Sequence, residues 1–218
     1  MRLGPIEILR DDPILFFLLA AALIGALTLH EFAHAATAVA QGDRLPKASG
    51  RLSINPLRHL DPIGTLMIFL VGFGWAKPVQ FRPQALRSKR FGAAFVALAG
   101  PLMNLALALV ATVLYGLLER MLELEPLGPA ESSVTQFFVL FISINVILAV
   151  FNLIPLPPLD GSRLLTIFLP PSKQRIIYFL DQYGFILLLF IVFFAGTALL
   201  DPIIRFVLEW VLRIGGAT

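Results

Sequence analysis

The sequence predicts an all-α integral membrane protein. We expect a polytopic helix bundle of about four to six membrane segments, with a re-entrant element and room for a short β-hairpin at 48–76. Three observations predict it. Hydrophobic residues fill 58% of the 218 positions and charged residues only 14%; mean hydropathy is +0.85, far from a soluble domain. The apolar residues gather into runs near the length of about 20 that crosses a hydrocarbon core. Lys and Arg concentrate between those runs, where they set topology and meet anionic headgroups. They account for the pI of 9.6, which is therefore no nucleic-acid signal, and no nucleic-acid partner is expected. Cys is absent, which excludes disulfides and thiolate metal sites and leaves N and O ligands for any zinc.

Residues 1–12 are of mixed charge and read as a short interfacial arm rather than a cleavable signal. Asp11-Asp12-Pro13 is a helix start, with a carboxylate cap and Pro in the first turn. The run from Pro13 to about Gln41 spans with some tilt. Residues 42–62 are polar and basic, punctuated by Gly42, Pro46, Gly50, Pro56 and Pro62. Partial alternation from Ala48 to Pro56 suggests an extended strand or hairpin. Ile63 to Trp75 is too short for a comfortable span and reads as re-entrant, where irregular backbone must lie against protein or water. Phe91 to Leu118 is a clear span. Residues 119–135 are acidic, and Gln136 to Ile154 spans again. Pro155, Pro157 and Pro158 then break the helix before Asp160. A short amphipathic piece follows to Pro170-Pro171. Ile176 to Leu200 is a further span, and 201–214 lies in the interface or crosses it. The expectation is one membrane-embedded domain, 1–218, with its core at 13–165 and C-terminal helices at 176–214.

Charge supplies an orientation. Loop 42–90 holds nine Lys/Arg against Asp43 and Asp61, whereas 119–135 sets four Glu against Arg120 alone. Basic loops stay inside, so 42–90 and 155–175 are expected in the cytosol. The ends of the first span and of the 136–154 span then meet there, bringing His30, His34 and Asp160 to similar depth.

The stretch His30-Glu31-Phe32-Ala33-His34 reads H-E-x-x-H. On a helix the two His share one face and can bind one Zn²⁺, while Glu31, about 100° further round, can act as general base. Three ionisable groups within five residues are costly in lipid unless they have a function. A catalytic zinc needs a third protein ligand. Asp160 is the best candidate; its other reading is a cap or turn residue before Gly161. His59 and Asp61 read as an interfacial pair or a cap. Asn104, Asn145 and Asn152 are polar within apolar spans and need partners in another helix or in a substrate; for Asn145, helix–helix contact is the favoured reading. A zinc-holding scaffold or a metal transporter could also place two His and an Asp in a bundle, but neither needs Glu31 beside the first His.

The order His30-Glu31-x-x-His34, Gly100-Pro101-x-x-Asn104, Asn152-x-x-Pro155-x-Pro157-x-Leu159-Asp160-Gly161 resembles the site-2 protease family of intramembrane zinc metalloproteases. Asn55 to Gly64 and Gly72 to Val79 resemble a compact bacterial branch without PDZ or CBS domains. The resemblance implies that His30, His34 and Asp160 bind one Zn²⁺ and that Glu31 is the base. It also implies that Asn152 holds the substrate backbone beside the metal, with Asn104 assisting at the substrate site. The expected activity is hydrolysis of peptide bonds within or near transmembrane segments of membrane proteins, at the cytosolic side of a bacterial membrane. Such a segment must unwind first, and an extended strand at 48–55 could hold it by edge pairing. The partners are then membrane-protein substrates and the lipid bilayer, with self-association into a homo-oligomer left open.

Overall fold

The chain begins its first long helix where the sequence caps it. In the computed structural model, which describes residues 5–71, 76–124, 126–127, 132–168, 174–194 and 196–216, a short helix α1 (Pro5–Asp11) leads to α2 (Pro13–Ala40). Asp12 Oδ1 accepts the Leu15 N–H at 2.9 Å, and Pro13 occupies the first helical position. The 28 residues of α2 extend about 42 Å, more than a hydrocarbon core of about 30 Å. His30 and His34 therefore ride towards its far end. Gly42, at φ +106°, closes α2, and the Asp43 N–H reaches back to the Ala38 carbonyl at 3.0 Å.

The remaining helices are α3 (Leu45–Ala48), α4 (Pro62–Val71), α5 (Lys89–Leu122), α6 (Ser133–Asn152), α7 (Gly161–Phe168), α8 (Gln174–Phe194) and α9 (Gly196–Gly215). Three of them, α2, α5 and α6, pack against one another as the central bundle. Their contacts are built from small residues: Ala22, Ala26 and Ala38 on α2, Ala97, Ala108 and Ala111 on α5, and Ala149 on α6 are all buried. Small side chains let backbones approach where lipid supplies no hydrophobic drive. α9 closes the far side, setting Val211 among Ala108, Ala111, Ile142 and Val146. Its Gly215 sits so close to Thr112 that a Cβ would collide.

Two expectations are corrected here. Among the described residues, three helices are long and apolar enough to cross a membrane, within 13–40, 91–122 and 133–152, rather than four to six. α8 and α9 match α6 in length, but the apolar stretch described within α8, Tyr178–Val192, is shorter. α9 carries Asp201, Arg205, Glu209 and Arg213 on a helix that also contains Pro202.

The hairpin expected at 48–76 is also overturned. No strand or hairpin forms among its described residues; the single β feature is an isolated antiparallel bridge from Leu60 to Ala76. Local partners take the backbone groups a ladder would need. The Arg51 N–H bonds the Pro46 carbonyl at 2.8 Å, His59 Nε2 takes the Ser53 carbonyl at 2.6 Å, and Arg51 Nη1 takes the Arg58 carbonyl. Gly50 turns the chain at φ +71°, and Asn55 caps a 3₁₀ turn that starts at Pro56. An edge strand at 48–55 for substrate is thereby withdrawn. The stretch expected to be re-entrant contains the ten-residue helix α4, and on its two sides Leu60 pairs with Ala76 in the bridge while the Lys77 N–H meets the His59 carbonyl at 2.7 Å. Gly72 to Trp75 and Pro170-Pro171 lie outside the described residues.

Candidate metal centre

One helical turn along α2 brings His30 Nε2 within 3.0 Å of His34 Nε2. Asp160, 126 positions after His34, places Oδ2 3.2 Å from that nitrogen and 3.1 Å from His30 Nε2. All three residues are at least half-buried, and each offers one ligand atom to a common point. Ligands held about 2.0–2.1 Å from a tetrahedral zinc lie about 3.3 Å apart. The observed triangle is close to that edge length.

Hydrogen bonds on the opposite ring atoms decide what this triangle is. His34 Nδ1 faces the Val96 carbonyl at 2.7 Å, and His30 Nδ1 faces Asn104 Oδ1 at 2.5 Å. Both partners are acceptors, so each Nδ1 carries the proton and each Nε2 presents a lone pair. The Asn104 orientation follows from its own bonds. Its Nδ2 donates to Asn145 Oδ1 at 2.7 Å and towards the Ala26 carbonyl at 3.4 Å. Asn145 Nδ2 in turn donates to the Phe141 carbonyl at 2.8 Å. A row of oriented bonds from α6 through α5 to α2 thus sets the His30 tautomer.

Two bare imidazole nitrogens and a carboxylate repel one another at this distance unless a proton or a metal ion sits among them. The Asp160 carboxylate brings the negative charge that a divalent cation needs beside two neutral rings. Gly100 on α5 completes the fit: a Cβ there would lie 2.5 Å from His30 Nε2 and against His34 Nε2 as well. The missing side chain leaves room beside both ligand nitrogens. The cluster fits one Zn²⁺ held by N and O donors.

Asp160 reaches the site because α6 ends at Asn152 and the proline-rich turn folds back. Gly161, at the start of α7, lies against the carbonyls of Leu153 and Ile154, where any Cβ would clash. Glu31 is buried next to His30, and its Oε2 accepts the Val79 N–H at 3.2 Å. Residues 76–82 are held over α2 by Asp43. That carboxylate, fully buried, accepts the Arg82 N–H at 2.5 Å, Arg82 Nη2 at 2.9 Å and the Leu45 N–H at 3.0 Å. Burial pushes the Asp43 carboxyl up, but these donors and the guanidinium charge more than reverse it, leaving it lowered.

The other polar residues singled out in the sequence sit as follows. Asn104 is fully buried behind His30. Asn152 is half-buried at the end of α6, with Nδ2 turned back on the Leu148 carbonyl at 3.0 Å. His59 is buried among loop backbone, away from the triangle, and Asp61 Oδ1 caps α4 through the Gly64 N–H at 2.8 Å. Sequence reasoning missed the link of Asn145 to the metal ligands, although an Asn in an apolar span was a visible signal. It had no means of finding the Val96 carbonyl or the Val79 N–H, which are backbone groups.

Residues 120–191 match peptidase family M50. The chain is 37% identical over 202 residues to "Putative zinc metalloprotease YwhC" of Bacillus subtilis, covering 91% of each chain. It is 30% identical over 213 residues to "Putative zinc metalloprotease Rip2" of Mycobacterium tuberculosis, covering 93% of this chain and 76% of that one. No solved structure matches the chain.

Proposed function

Because this chain belongs to the site-2 protease family, peptidase family M50, we propose how its residues divide the work of peptide hydrolysis. The protein is an intramembrane zinc metalloendopeptidase, integral to a bacterial membrane, acting on membrane proteins within the lipid bilayer. His30, His34 and Asp160 are the metal ligands. The zinc supplies a Lewis acid for the scissile carbonyl and makes water nucleophilic near neutral pH.

Glu31 is the general base. Its Oε1 takes a proton from the attacking water and hands it to the departing amide nitrogen, while Oε2 stays on the Val79 N–H. Asn104 orients His30 from behind. Asn152 bonds the backbone of the unwound substrate segment, swinging its amide away from Leu148 to do so. A cavity of 410 Å³ opens between Pro78, which precedes Val79, and Pro157-Pro158, which precede Asp160; Leu180 and Asp181 of α8 form its outer wall. We assign the substrate approach to it. The active site faces the cytosol, and residues 13–165 form the core of a single domain.

The observation that carries this reading is the triangle of two imidazole nitrogens and a carboxylate, spaced to hold one metal ion, next to a buried carboxylate that accepts a backbone N–H. A scaffold or a transporter has no use for that carboxylate. The test incubates purified protein with a panel of single-span membrane proteins, with and without a zinc chelator, and locates cuts by mass spectrometry. Chelator-sensitive cuts within or near the apolar segments are expected; cleavage that survives complete removal of zinc would overturn the reading.

A further inference from the structure

Pro78 also walls a second pocket, of 400 Å³, together with Ser49, Arg51, Arg58, Lys77 and Gln80. Three of these residues are cations and none is a carboxylate. Arg51 is only 9% exposed, yet among the described residues the ion pairs engage other groups. Its Nη1 is bound to the carbonyls of Arg58 and, at 3.2 Å, Lys77. These ties hold the guanidinium where two loops meet and leave other N–H donors of its five for a ligand. A buried cation served only by neutral acceptors is unfavourable unless an anion joins it. The Arg58 guanidinium lies over Gly50, with Nη1 3.5 Å from where a Cβ would stand.

The surroundings place this pocket at a lipid surface. Ile54 and Leu57 project from the same loop, 69% and 82% exposed. Just beyond, α4 exposes Ile63, Leu66 and Leu70, spaced to form one apolar stripe. An exposed apolar tip and stripe on a membrane protein belong in acyl chains, and cations set beside them meet the phosphate layer. Two guanidinium groups match phosphate oxygens in a planar fork, and an ammonium adds a point charge.

We propose that Arg51, Arg58 and Lys77 form a binding site for a phosphate group, supplied by an anionic phospholipid headgroup or by free phosphate. The test uses the full chain in detergent. Native mass spectrometry counts retained phosphatidylglycerol, with phosphatidylcholine as the zwitterionic comparison, and inorganic phosphate is titrated separately and as a competitor. Arg58→Gln with Lys77→Gln removes two cations but keeps the backbone carbonyls that hold Arg51, so the fold is preserved. Arg44→Gln with Lys47→Gln removes the same charge from the neighbouring pocket, which Arg87 also lines.

Wild type and the Arg44/Lys47 variant should retain one phosphatidylglycerol, displaced by phosphate. The Arg58/Lys77 variant should bind about 25-fold more weakly, about fivefold for each cation lost near a lipid surface. Saturable binding of phosphate with no phosphatidylglycerol retained, lost in the same variant, identifies free phosphate as the source. The proposal is overturned if neither ligand saturates, or if the two double variants weaken binding equally.

Discussion

His30 Nδ1 lies 2.5 Å from the Oδ1 of Asn104, a residue 74 positions further along the chain, and this contact selects the ring nitrogen that faces the metal. Asn104→Ala leaves the Nδ1 proton without its acceptor and lets the ring turn or change tautomer. Zinc affinity, read by competition with a chromogenic chelator, should fall about 10- to 100-fold. Asn104→Asp keeps an acceptor and should retain most of the affinity. Equal affinity in wild type and Asn104→Ala would show that the ring is held in place by other groups.

Glu31→Gln keeps the size of the side chain and an oxygen for the Val79 N–H, but cannot take up a proton from water. It should hold one zinc per chain by elemental analysis and lose about 10²- to 10⁴-fold in cleavage rate. A variant that keeps zinc and cuts at the wild-type rate removes the proton-transfer role from Glu31.

Gly100→Ala separates the metal fit from helix propensity. In an exposed helix interior this change stabilises by about 1 kcal/mol. Here the new methyl would stand against both ligand nitrogens, so the sign reverses. The variant should lose zinc, and its unfolding midpoint should fall with the cost of overpacking, about 1–3 kcal/mol. Full zinc occupancy together with a raised midpoint would contradict the packing described.

Asp43→Asn tests the staple that holds 76–82 over Glu31. Near neutral pH, replacing the buried carboxylate should cost about 2 kcal/mol, since hydrogen bonds to a charged group are at stake. The Asp43 carboxyl lies below its ordinary value of 3.8 in the folded protein. Its contribution is therefore complete above that pH and is lost as pH falls through the lower, folded value. Thermal unfolding of the two proteins should differ by a constant gap from pH 7 down to about 4, and the gap should close only below that. A gap that narrows between pH 7 and 5 would assign the effect to another group.

Much of this site was legible in the sequence because its chemistry needs particular side chains at particular spacings. His30 and His34 are one turn apart on any helix, and Glu31 must follow the first of them. The proline-broken approach to Asp160 marked a place where a span ends and the chain can turn. The strand expected at 48–55 failed for an equally physical reason. Partial alternation there was a weak signal, and Gly50, Asn55 and the side chains of Arg51 and His59 satisfied the backbone locally before any ladder could form. The span count fell below the expected number because the apolar stretch described in α8, Tyr178–Val192, is short and α9 carries Asp201, Arg205, Glu209 and Arg213.

The sequence by itself determined the bilayer as solvent and the placing of His30, Glu31 and His34 within one turn and a half of a helix, because composition and helical period are local properties. Only the tertiary structure decided which nitrogen of each ring is bare, since that depends on the Val96 carbonyl and on Asn104 backed by Asn145, carried on other helices. It alone decided that Gly100 provides the space and that the Val79 N–H meets Glu31. Proton positions and close backbone approach arise from contacts between segments remote in the chain, which no local pattern records.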